Sequence, residues 1–202
     1  MKYSLNSRGG ALLSLLFTIM IVAIMIALST HLFRISRAAA KRSQCTSNLH
    51  QIYQYLLIYL EDSNDRLGKI KDLDDGVAPE ENSARFLKDI LEDFFSKKNG
   101  QPVDLTEIFH CPANPVYGEY YKKEGGGSYD FRNELTRTYQ HFTFSQVKNP
   151  QDKILMGDHH VGWHDYSYVL GESHINVLYA DGHVAWITED EWQENLKVGL
   201  LN

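Results

Sequence analysis

The sequence predicts an α+β protein in which one long N-terminal helix is laid across a small antiparallel sheet. Three observations carry that expectation. Residues 11–28 hold no charged side chain, and no Gly or Pro interrupts the chain between residue 11 and Glu61. Short apolar or alternating runs then gather in the last third, with Asp181-Gly182 between two of them. Finally, 202 residues hold one domain with an appendage, and a composition of 43% hydrophobic and 23% charged excludes a disordered or collagen-like chain.

The first element is the apolar segment. Extended to Arg34 it covers residues 11–33, roughly 35 Å of helix at about 1.5 Å per residue, against a hydrocarbon core of about 30 Å. A core helix apolar on every side is rare in so small a domain. A cleaved secretory signal is the nearest rival, with Ala27-Leu28-Ser29 as a small-residue site. The apolar run is longer than such signals need, and Arg34 and Arg37 follow it directly. The expectation is a membrane helix, with the lipid bilayer as partner.

The second half of the helix has a different pattern. Over residues 34–62, Leu49, Ile52, Tyr53, Leu56 and Leu60 recur at helical spacing and form one stripe, which predicts an amphipathic continuation packed on a soluble domain. Ser63-Asn64-Asp65 ends it. Residues 63–202 then form that domain. Residues 83–99 predict a second helix buried through Phe86, Leu87, Ile90, Leu91, Phe94 and Phe95, and Gly100 is its stop.

Strand signals follow in Tyr139-Gln140-His141-Phe142-Thr143-Phe144, in Lys153-Ile154-Leu155-Met156-Gly157, and in the two runs flanking Asp181-Gly182. Asp-Gly between such runs predicts a hairpin with a type I′ turn. Thr188 with Glu191 makes a capping box, so a short helix carrying Trp192 and Leu196 closes the chain.

Charge narrows the function. The first 42 residues carry Lys2, Arg8, Arg34, Arg37, Lys41 and Arg42 and no acid, whereas the rest holds 14 basic and 26 acidic residues, a net of −12. An acidic body argues against nucleic acid as a partner. Two cysteines are too few for a disulfide-dense domain or a four-thiolate zinc site. No Ser-His-Asp, Cys-His or phosphate-loop arrangement is evident, Gly125-Gly126-Gly127 reads as a flexible loop, and neither an enzyme nor a cofactor is expected.

His159, His160, His164, His174 and His183 fall close together, with Asp158, Asp165 and Asp181 among them. Asp158, His159, His160 and His164 are the weak candidates for a metal site, but their spacing matches no strong motif. Trp163, Tyr166, Tyr168, Trp186 and Trp192 offer either a carbohydrate platform or ordinary packing, and packing is the stronger reading.

Several of these stretches together resemble a family. A basic leader of residues 1–10 ends in Gly9-Gly10 before the apolar helix. Cys45-Thr46-Ser47-Asn48-Leu49-His50-Gln51-Ile52 is followed by Tyr59 and Asp62. Cys111-Pro112 lies in mid-chain, and Asn176-Val177-Leu178-Tyr179-Ala180-Asp181-Gly182-His183-Val184 lies near the end. The chain resembles the type IV pilin-like proteins, or pseudopilins, of the branch with a processing-associated Asp-Gly ending.

The resemblance implies a structural role in a type IV pilus or type II-secretion-like assembly. It implies cleavage by a prepilin peptidase at Gly10–Ala11, methylation of Ala11, and other pilin-like subunits as partners. It also implies a bacterial cytoplasmic-membrane location, with a cytoplasmic N-terminus and the domain periplasmic or extracellular. A bare count of flanking basic residues points the other way.

The sequence departs from that pattern at two points. Cleavage after Gly10 puts Ala11 first and Leu15 fifth, where the family carries Phe and Glu. A subunit without that Glu cannot pair with a neighbour's terminal amine, which suggests a minor or tip position. Gly171 stands where the branch has a His, with His174 nearer the Asp-Gly.

In a domain outside the cytoplasm, Cys45 and Cys111 are the minimum for one bridge, which would tie the mid-chain loop to the helix. The alternative is two unrelated cysteines, one buried and one exposed. A second functional reading is a membrane-anchored module that never polymerises and binds surface polysaccharide or metal.

Overall fold

The computed structural model describes residues 7–67, 70, 85–114, 127–132, 143–159 and 173–198. Helix α1 runs without a break from Ser7 to Asp62. The chain divides into two compact units, Met1–Ala39 and Ala40–Asn202.

In the first unit the described side chains of α1 are exposed almost throughout, among them Leu12, Leu16, Phe17, Met25 and Phe33. This is one helix long and apolar enough to cross a membrane. Three of its hydroxyls are satisfied within the helix. Thr18 Oγ1 donates to Leu15 O at 2.8 Å, Ser29 Oγ to Met25 O at 2.7 Å and Thr30 Oγ1 to Ala27 O at 2.8 Å. Such back-bonding lets a hydroxyl sit in hydrocarbon without an unmet donor.

In the second unit the stripe on α1 becomes the spine of the core. Cys45, Leu49, Ile52, Leu56 and Leu60 are each 3% exposed or less. Two consecutive left-handed residues, Asn64 (φ 53°) and Asp65 (φ 61°), turn the chain out of the helix, and Asp65 N donates to Leu60 O at 2.7 Å. Asn and short Asp tolerate that conformation better than other non-glycine residues.

Helix α2 is Leu87–Asn99 and stops at Gly100 with φ 69°. It starts later than the sequence suggests: Phe86 is extended, Arg85 bridges to Ile70, and residues 83–84 lie outside the described residues. Its aromatic edge packs on α1, with Tyr55 and Phe95 edge-to-face at 4.9 Å and Tyr59 and Phe94 at 5.2 Å.

The sheet is antiparallel in sequence order: β1 (Tyr129–Phe131), β2 (Ile154–Asp158), β3 (His174–Tyr179) and β4 (Val184–Thr188). Helix α3, Glu189–Lys197, follows β4 and carries the expected capping box, with Glu191 N donating to Thr188 Oγ1. The run from Tyr139 to Phe142 lies outside the described residues. Thr143 makes an isolated bridge to Arg66, and Phe144–Gln146 form a 3₁₀ turn rather than a strand.

The sheet is buried on both faces. Leu155, Met156 and Leu178 join the α1 side, whereas Ile154, Ile175 and Val177 pack with Trp192 of α3 on the other. A register irregularity between Ile154 and Met156 lets consecutive Leu155 and Met156 enter the same core.

Candidate functional site

Among the described residues, two clusters of polar side chains form along α1. The first is built on Cys45 and Asn48, which are three residues apart and so share a helix face. Cys45 is disulfide-bonded to Cys111, with the Cα atoms 5.3 Å apart. Asn48, 2% exposed, donates from Nδ2 to His110 O at 2.8 Å and accepts from Gln44 Nε2 at 3.1 Å. Asn48 Nδ2 also reaches Glu107 O at 3.5 Å, so a covalent bond and the hydrogen bonds of Asn48 hold the same loop on the helix.

Behind the bridge lies Asp158, at the end of β2 and 4% exposed. A carboxylate oxygen of Asp158 and both sulfurs lie within 4.8 Å of one another. Its Oδ2 accepts from Asn176 N and Asn176 Nδ2, both at 2.9 Å. Thr46 Oγ1 on α1 donates to Asn176 Oδ1 at 3.4 Å. Tyr129 pairs directly across from Asp158 in the sheet. Burial, then the Asp158 charge, drives the Tyr129 phenol above its ordinary pKa, against a smaller lowering by Asn48.

The second place is the hairpin tip. Gly182 N donates to Tyr179 O at 3.0 Å and Tyr179 N to His183 O at 2.9 Å, which closes a loop of Ala180, Asp181 and Gly182. The expected type I′ turn is not formed. Positive φ is confined to Gly182, at 93°, and Asp181 does not share it. This is the longer hairpin connection in which a glycine follows the turn.

The tip is shaped by its seat on α1. A Cβ on Gly182 would lie 2.6 Å from Tyr53 Cδ1, and Tyr53 Oη donates to Ala180 O at 3.0 Å. Asp181 Oδ1 accepts from His183 N at 3.1 Å and lies 2.6 Å from His183 Nδ1. Partial burial works to raise the Asp181 pKa, but the contacts from the His183 amide and ring outweigh it and hold the carboxyl below its ordinary value.

Of the metal candidates, the two described ones serve different partners. Asp158 faces the disulfide and Asn176, whereas His159 Nδ1 lies 2.6 Å from Asp130 Oδ2. His160 and His164 lie outside the described residues, as do Trp163, Tyr166 and Tyr168. Trp186 and Trp192 sit on opposite faces of the sheet. Trp186 pairs with Asn176 on the α1 side, with the Arg42 guanidinium 5.0 Å over its ring, and Trp192 lies against Gly157. Those two rings therefore form no common platform.

Gly10 is exposed and inside α1, so the bond Gly10–Ala11 is helical. Gly125 and Gly126 lie outside the described residues. Gly127 is not a loose linker: its φ is 87° and a Cβ there would lie 2.6 Å from Phe109 O.

Two structural anchors gave no signal in the sequence. Arg132, 4% exposed, donates to Leu196 O at 3.0 Å, to Val198 O at 2.7 Å and to Asn195 Oδ1 at 3.3 Å. Asn195 in turn donates to Asp152 O at 2.7 Å and accepts from Ile154 N at 3.1 Å. Both fasten α3 to the edge of the sheet across distances that no local spacing encodes.

No family model, no curated protein and no solved structure matches this chain.

Proposed function

We propose that the chain is a single-pass pilin-like subunit of a bacterial pilus or type II-secretion-like assembly, anchored by α1 with its domain outside the cytoplasm. The observation that carries this reading is the continuity of α1. One helix supplies an exposed apolar half and then, without a break, the spine of the domain core through Cys45, Leu49, Ile52, Leu56 and Leu60. A helix apolar on every side can leave lipid only for another apolar surface, such as the same helix in neighbouring subunits. The Cys45–Cys111 bridge supports a domain in an oxidising compartment, since such bonds rarely persist in the cytoplasm.

Processing at Gly10–Ala11 is part of the proposal. Each glycine weakens a helix by about 1 kcal/mol relative to alanine. Gly9-Gly10 therefore makes the first turns easy to unwind into the extended form that a peptidase cleft accepts. Without a carboxylate at Leu15, the subunit suits a minor or tip position, where no neighbour's amine needs to be paired.

Mass spectrometry of the protein from its native membrane tests the reading. A mature chain beginning at methylated Ala11, and full-length precursor for Gly10→Leu, are the expected results. Recovery of intact Met1 in both would favour instead a membrane-anchored binding module that does not assemble. Recovery as the most abundant subunit of purified filaments would overturn the minor position.

A further inference from the structure

The buried cluster at the bridge gathers a donor set that could serve a second purpose once the bridge is open. Two sulfurs and a carboxylate oxygen lie within 4.8 Å of one another, all three residues are buried, and they come from α1, the mid-chain loop and β2. We propose that Cys45, Cys111 and Asp158 form a metal site in the reduced protein, taking a thiophilic divalent cation such as zinc in place of the disulfide.

The geometry fits. Zinc binds thiolate at about 2.3 Å and carboxylate at about 2.1 Å, so a tetrahedral site needs its donors roughly 3.5–3.8 Å apart. Opening the bridge by about 1.7 Å brings the sulfurs to that spacing. Asp158 is already oriented as a ligating carboxylate would be: Asn176 holds its Oδ2 through two hydrogen bonds of 2.9 Å, and Thr46 on α1 holds Asn176. The fourth position falls to a water or to the Tyr129 hydroxyl, which is buried beside Asp158 and makes no hydrogen bond of ordinary geometry among the described residues.

The step balances in two stages. A dithiol reductant gives two electrons and two protons to the Cys45–Cys111 bond, leaving two thiols and its own disulfide. The cation then displaces the two thiol protons to solvent. In an oxidised domain the bridge holds the loop on α1. In a reduced one the ion takes over the same joint, and it enters as the loop closes, because the finished site is buried.

The test uses the full-length protein in detergent, with zinc alone as the probe and a chromophoric chelator as competitor. The reduced protein should bind one equivalent that is absent from the oxidised protein and from C45A/C111A. Reduced D158N should bind it at least tenfold more weakly. Cobalt in place of zinc should give thiolate charge-transfer absorption in the reduced wild type only.

Thermal unfolding provides a second arm that does not depend on the folding of D158N. Zinc should raise the midpoint of the reduced wild type and leave that of C45A/C111A unmoved. A reduced wild type that binds zinc no more tightly than C45A/C111A overturns the proposal. So does a midpoint indifferent to zinc, or a folded D158N that matches the wild type.

Discussion

The seat of Gly182 on Tyr53 can be tested by replacing the glycine with alanine. Two separable costs follow. An L-residue at φ 93° is held in a sparsely populated region, at about 1–3 kcal/mol. The new Cβ would also lie 2.6 Å from Tyr53 Cδ1 and 3.0 Å from Cζ, so the ring must move. Moving it strains the Tyr53 Oη bond to Ala180 O, whose length is 3.0 Å and whose net worth is about 1 kcal/mol.

The sum is about 2–4 kcal/mol, or roughly 4–16 °C in the unfolding midpoint of a domain this size. Tyr53→Ala removes the ring and with it the second cost, but not the first. In a double-mutant cycle, Gly182→Ala should therefore cost at least about 1 kcal/mol less in the Tyr53→Ala background. Urea unfolding of the full-length chain in detergent, followed by tryptophan fluorescence, measures all four corners. An equal cost in both backgrounds would refute the claim that Tyr53 is what demands a glycine there.

Three further outcomes are expected. Replacing Cys45 and Cys111 together by Ala, assayed under oxidising conditions without added metal, should lower stability by about 4 kcal/mol in the chain-entropy view, because the bridge spans a separation of 66 residues. Arg132→Leu should release the end of α3 from Leu196 O and Val198 O, at a cost of about 1.5–3 kcal/mol. Hydrogen exchange should then quicken in residues 189–197 before it does in β3.

The third outcome concerns pH and runs in both directions. Asp181, held low against its burial by the His183 contacts, and Glu191, held low by the Thr188 contacts, contribute stability that is present above the carboxylate range and lost as pH falls through it. Tyr129, raised mainly by burial, contributes stability that is lost as pH climbs above about 10. Its phenolate absorbance should therefore appear together with alkaline unfolding and not before it.

Much of this molecule is legible from local pattern. A charge-free run and an apolar stripe at helical spacing determine α1 on their own, because helix formation depends on neighbours three and four residues apart. The capping box at Thr188 and the stop at Gly100 are local for the same reason. Asn64 and Asp65 likewise carry their turn conformation in their own side chains.

What required the tertiary structure is whatever depends on residues far apart in sequence. Asp181-Gly182 announces a turn, but only the folded chain shows that Gly182 alone of the pair takes positive φ and that its missing Cβ leaves room for Tyr53, 129 positions earlier. The three-residue strand β1 has too little pattern to stand out, and it exists because β2 lies beside it. Asp158 and His159 are neighbours in sequence yet serve different partners, one at the disulfide and one at Asp130. Arg132 could be recognised as an anchor only once the end of α3 had been brought to it. The sequence by itself determined the helix, its membrane-length apolar half and its buried stripe. The packing of the sheet on α1 decided which polar residues became clamps, because a side chain's role there is set by whatever lies across a contact.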